Sequence, residues 1–169
     1  MKNKIMKTVP RWAVSLLGLA TLLVITLSPA SSSGQDLAGQ NRGDRIEGVW
    51  DSQVTITDCA TGNVLGSFRG LGMFIRGGSL TQTNNQPPGL GSPSFGQWRK
   101  LGAGHYTATF RFFAFASGVF SGVQKVSRDI QLSPSDDTFT SVISSEFFDP
   151  NGNLIASGCG TETSTRVVD

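Results

Sequence analysis

The chain has 169 residues, with 14 Lys and Arg against 12 Asp and Glu, a single histidine and 21 glycines. That length admits one small domain. Four of the basic residues, Lys2, Lys4, Lys7 and Arg11, sit at the N-terminus, and no later segment carries a run of Lys or Arg. Nucleic-acid binding therefore has no electrostatic basis.

Residues 1–30 read as a signal peptide. The four cations form a positive n-region, Trp12 to Leu27 is largely apolar, and Ser28-Pro29-Ala30 offers small residues for cleavage. The alternative is an uncleaved anchor, but the apolar run falls short of the ~20 residues that span a bilayer. Cleavage leaves 10 basic side chains against 12 acidic ones, a charge of −2. The expected location is secreted or periplasmic, with no stable membrane span after cleavage. Residues 31–45 are polar and lack periodicity, which predicts a flexible lead-in.

From residue 46 the chain reads as strands, rich in Thr, Phe, Val and Ile and interrupted by turn residues at short intervals. The pattern predicts eight strands, at 46–57, 64–76, 79–83, 94–100, 104–116, 119–133, 137–148 and 153–167, and one barrel domain over 46–169. Asp149-Pro150-Asn151-Gly152 is the clearest turn, with Pro suited to its second position and Gly supplying a left-handed residue. Asn84 to Pro93 is long for a hairpin loop, and such loops are either lids, binding loops or plain surface loops. No segment has a helical period.

Cys59 and Cys159 are the only cysteines and lie near the two ends of the strand region. In an oxidising compartment a disulfide between them is the expected state, with two free buried thiols as the alternative. Setting Cys59 opposite Cys159 in an antiparallel ladder places Trp50 opposite Val168, with Arg166 two residues away on the same face. A sheet whose first strand pairs with its last is closed. The expectation is thus an all-β, single eight-stranded antiparallel up-and-down barrel.

Gly48-Val49-Trp50 on the first strand, with Arg166 on the last, resembles the lipocalin-like, calycin-type barrels. That resemblance implies an indole plugging one end of the barrel, with a guanidinium stacked on it. It also implies the binding of a small, mostly apolar molecule. The strand pattern is similar too to allene-oxide-cyclase-like and dirigent-like barrels, whose catalytic residues find no match here.

Among chemistry-bearing residues, Tyr106, Phe110 and Phe112 share one strand face, while Phe113 and Phe115 share the other. Core packing is one reading of the first group; the other is a cavity wall that also includes Trp98. Apolar residues on both faces further suggest a homo-oligomer. Arg128 and Gln124 share a face with Val126 and Ile130. A type I turn plus bulge at Asp149 would set Glu146 opposite Ala156 and Val142 opposite Gly160. An enclosed Arg128 would then pair with Glu146 or Glu162, since an unpaired buried charge is costly. A register slip of one residue would exchange the faces of 64–76 and 137–148.

His105 lies beside a Gly-Ala-Gly turn and is expected to be exposed. One histidine and a bonded cysteine pair leave no zinc or copper set, and the acidic residue at 149 lacks a calcium loop's downstream glutamate. No Walker, dinucleotide or Gly-x-Ser-x-Gly motif occurs, so no metal or cofactor is expected. The leading expectation is an exported barrel that binds a small apolar ligand through Trp98, Tyr106, Phe110, Phe112, Arg128 and Glu146. Trp50, Arg166, Cys59 and Cys159 would be structural. The alternatives are a barrel cyclase or isomerase using Arg128 and Glu146, and a solidly packed interaction module.

Overall fold

The computed structural model describes residues 44–168. The expected leader and most of the lead-in lie outside the described residues. Eight strands follow in order: β1 (Gly48–Thr57), β2 (Val64–Ile75), β3 (Ser79–Asn84), β4 (Ser94–Gly102), β5 (His105–Ala116), β6 (Val119–Leu132), β7 (Thr138–Phe148) and β8 (Leu154–Arg166). Every strand pairs antiparallel with its sequence neighbour, and β8 returns to β1, closing the barrel.

The inner face follows the period-two alternation of each strand. On β1 the inward series is Trp50, Ser52 and Val54, all buried, and on β6 it is Val126, Arg128, Ile130 and Leu132. The register of β2 sets Gly72 opposite Trp50 and Gly70 opposite Ser52. These small inward positions leave room for the indole.

Closure occurs one pleat away from the expected register. Trp50 pairs directly with Arg166, and Thr57 pairs with Cys159. Cys59 lies beyond the end of β1, in the turn that Asp58 organises by accepting hydrogen bonds from Ala60 and Thr61. The Cys59–Cys159 disulfide, with Cα atoms 5.2 Å apart, therefore reaches from that turn onto β8 instead of crossing between facing residues. Because the displacement is two residues, the inward and outward faces are unchanged.

One end of the barrel is closed by stacked side chains. The Arg166 guanidinium lies 4.3 Å from the centre of the Trp50 ring system, and Phe139 meets the indole edge-on at 4.8 Å. Trp50 Nε1 donates to the Ile46 carbonyl at 2.9 Å. Arg166 donates to three carbonyls, those of Arg45, Glu47 and Asp136, at 2.5, 2.7 and 2.7 Å. It thereby ties the segment entering β1 to the β6–β7 connection. Gly48 is required here: its φ is +130°, and a Cβ would stand 2.7 Å from Arg166 Nη1. Asp44 and Arg45, assigned to the lead-in by sequence, belong to this end. Asp44 accepts from the Tyr106 hydroxyl, and Arg45 pairs with Asp136.

Two stability measurements follow. Replacing both cysteines with serine is expected to cost up to ~4–5 kcal/mol in urea unfolding, given the chain length that the bond closes. Near-native far-UV circular dichroism is expected to survive, because the β1–β8 ladder is independent of the bond. Arg166→Ala should cost about 3 kcal/mol, the scale of two or three partly exposed charge-assisted hydrogen bonds, and Arg166→Lys should recover only part of it.

Candidate functional site

Above the plug, the inner face of β8 climbs through Ser164, Glu162, Gly160 and Gly158. Ser164 Oγ meets Ser52 Oγ at 2.6 Å, a closed polar contact within the core. One pleat higher, Glu162 faces Val54 of β1 and Ser141 of β7. Beyond that level the filling stops. Ile56 has glycine inner-face partners on both sides, Gly66 and Gly160, and Ser145 faces Gly158. At Gly160 the neighbouring backbone enforces the choice, since a Cβ would stand 2.6 Å from the Thr55 carbonyl oxygen.

The missing side chains leave a cavity of about 370 Å³. Its apolar wall is formed chiefly by Val54, Phe68, Phe110, Phe112, Val126, Ile143 and Phe147. Side-chain amides of Gln82, Asn84, Gln86 and Gln124 interrupt that wall, and Arg128 also lines it. The Asn84–Pro93 segment reaches this end and is pinned along β5. Ser92 N donates to the Phe113 carbonyl, and Phe115 N to that of Leu90, each at 3.0 Å. Gln86 thereby stands at the cavity margin.

Arg128 and Glu162 form a buried ion pair at the cavity's inner limit. Their side chains are 5% and 0% exposed, with Arg128 Nε 3.2 Å from Glu162 Oε2. Ser141 Oγ donates to the same carboxylate oxygen at 2.7 Å, and Arg128 Nη2 donates to Gln82 Oε1 at 2.5 Å. The guanidinium lies 4.7 Å from the centre of the Phe110 ring. Glu162 Oε1 has no hydrogen-bond partner among the described residues. Burial pushes the Arg128 pKa down, and the Glu162 carboxylate opposes that shift. An arginine at such a site keeps its charge.

The expected site residues divide into three groups. Phe110, Phe112 and Arg128 line the cavity. Trp98 and Tyr106 instead belong to the packing at the closed end, in edge contact with each other at 6.0 Å. Trp98 Nε1 donates to the Ile75 carbonyl at 3.0 Å. Burial first, then the Asp44 carboxylate that its hydroxyl contacts, raise the Tyr106 pKa above the phenol range.

Glu146 stands on the outer face, where its carboxylate accepts from Lys125 Nζ at 2.6 Å. Of the two carboxylates expected to pair with an enclosed Arg128, Glu162 does so, and the placement of Glu146 in the interior is corrected. The cause is register: Glu146 pairs with Ser157 and Val142 with Thr161, one position from expectation. The tight turn forms as anticipated, Gly152 N donating to the Asp149 carbonyl at 2.9 Å. The extra residue, Ile155, enters after it, between the Phe148–Leu154 and Phe147–Ala156 pairs. That exchange turns Phe139, Ser141, Ile143 and Ser145 inward. The outer aromatics Phe113 and Phe115 meet Phe120, with ring centres 5.8 and 6.2 Å away. His105 lies near Asp129 at 2.9 Å, outside the cavity.

Sequence reasoning missed Gln82, Asn84 and Gln86. A signal existed in Leu80, Gln82 and Asn84, which alternate on one face of the shortest strand. No protein-family model, curated protein or solved structure matches the chain.

The ion pair has a measurable asymmetry. Arg128→Met alone should destabilise the barrel by about 3–5 kcal/mol, because it strands a buried carboxylate. Adding Glu162→Leu to it should recover most of that loss in denaturant titrations, since an apolar pair needs no desolvated partner.

Proposed function

We propose that the protein binds a small apolar molecule inside the barrel after export, in the manner of the lipocalin-like barrels. The carrying observation is the cavity of about 370 Å³ above a closed aromatic plug. It exceeds the roughly 300 Å³ at which ligand pockets begin. Binding would draw on desolvation of the ligand against phenylalanine and aliphatic side chains, with the amides and Arg128 orienting one polar group. The leader-like residues 1–30 and the Cys59–Cys159 disulfide support an oxidising, extracytoplasmic setting. The Gly48, Trp50 and Arg166 closure supports the lipocalin-like reading. Solvent exposure and a Lys125 partner take Glu146 away from the cyclase alternative.

The test combines mass spectrometry of molecules copurified with the protein and titration with the uncharged fluorophore N-phenylnaphthylamine. Saturable fluorescence enhancement is expected for the wild type. Ser145→Phe, which fills the cavity from β7, should weaken it by at least ~10-fold, equivalent to ~1.4 kcal/mol. Equal enhancement by the wild type and the filled variant would place the probe elsewhere and reject the reading.

A further inference from the structure

Arg128 is the only charged residue that lines the cavity among those described. Taken alone, a cation at the inner limit of an apolar cavity selects an anionic ligand, such as a fatty carboxylate. Its surroundings reverse that expectation. The Glu162 carboxylate lies against Arg128 Nε at 3.2 Å, on a side chain with no solvent exposure. Arg128 Nη2 is engaged by the Gln82 amide oxygen at 2.5 Å, and the guanidinium rests over Phe110. The inner limit of the cavity thus carries one positive and one negative charge, already compensated.

A ligand carboxylate brought to Arg128 would compete with Glu162 for the same guanidinium. It would leave a net negative charge in a low-dielectric interior, a costly arrangement. A ligand ammonium would meet the guanidinium itself. The other polar side chains on the wall, the amides of Gln82, Asn84, Gln86 and Gln124 and the hydroxyls of Ser145 and Ser157, are uncharged. They donate to and accept from hydroxyl or carbonyl oxygens without a charge requirement.

We infer that the cavity selects uncharged amphiphiles, molecules with an apolar body and a hydroxyl or carbonyl end group, over carboxylates and amines of the same length. The selection comes from the Arg128–Glu162 pair cancelling its own charge. It rests on the ligand-binding reading above and specifies the ligand class of that same cavity.

Displacement of N-phenylnaphthylamine from the protein by decanol, decanoate and decylamine at neutral pH tests this. Decanol should compete at least ~10-fold more strongly than either ion, the cost of burying an uncompensated charge far exceeding that of a satisfied hydroxyl. Glu162→Gln leaves Arg128 uncompensated, so the decanoate-to-decanol affinity ratio should rise at least ~10-fold. Gln82→Glu shifts the balance the opposite way and should favour decylamine, which keeps the test open if Glu162→Gln fails to fold. Decanoate competing as well as decanol in the wild type overturns the inference. So does an unchanged ligand ratio in whichever variant folds. Failure of the wild type to bind the probe at all would instead overturn the binding reading beneath it.

Discussion

The β1–β8 ladder is the constraint on which the rest of the barrel depends. Eight strands linked only by hairpins would leave two open edges and a sheet free to flatten or splay. Pairing Trp50 with Arg166 joins those edges and sets the even-numbered residues from Trp50 to Ile56 on β1 and from Gly160 to Arg166 on β8 on the inner face. The indole, the guanidinium stacked on it and the three carbonyls that guanidinium contacts then close one end. The disulfide reinforces the join from outside the ladder. It shortens the unfolded chain's freedom without setting the register.

Once closed, the barrel's character depends on what its inner face carries at each level. Near the plug, Trp50, Tyr106, Phe139 and Ile130 are almost wholly buried and fill the space. Farther up, glycines on β2 and β8 supply no side chain to fill it. Gly160 combines two roles, because the close approach of the Thr55 carbonyl excludes a larger residue and that exclusion helps keep the cavity empty. The boundary between filled and hollow halves falls at the Arg128–Glu162 pair. A buried ion pair gives little net stability over an apolar pair of similar volume, so stability alone does not account for its placement there.

Strand ends were legible in the sequence because turn residues mark them locally; the Asp149–Gly152 turn formed as its chemistry required. The closure was legible through the cysteines, although Cys59 sits in a turn and the ladder lies one pleat away. That error left Trp50 and Arg166 on the same face. The error at β7 was different in kind. The position of Ile155 as the extra residue moved the register by one, which exchanged Glu146 for Ser145 and left Glu162 as the partner of Arg128. Tyr106 shares a strand face with Phe110 and Phe112, but nothing in the sequence shows the height of Tyr106 or Trp98 along the barrel. They pack near the plug, and the cavity wall is formed by Phe110, Phe112 and aromatics on β2 and β7.

By itself the sequence determined an all-β chain of eight strands, the alternation of their faces and a closed order tied by two cysteines. Those properties follow from period-two side-chain geometry and turn chemistry, both local. Only the tertiary structure decided which carboxylate faces inward and where the interior is hollow. The first depends on where a bulge absorbs one residue, and the second on which residues the inner-face glycines of β2 and β8 meet on neighbouring strands.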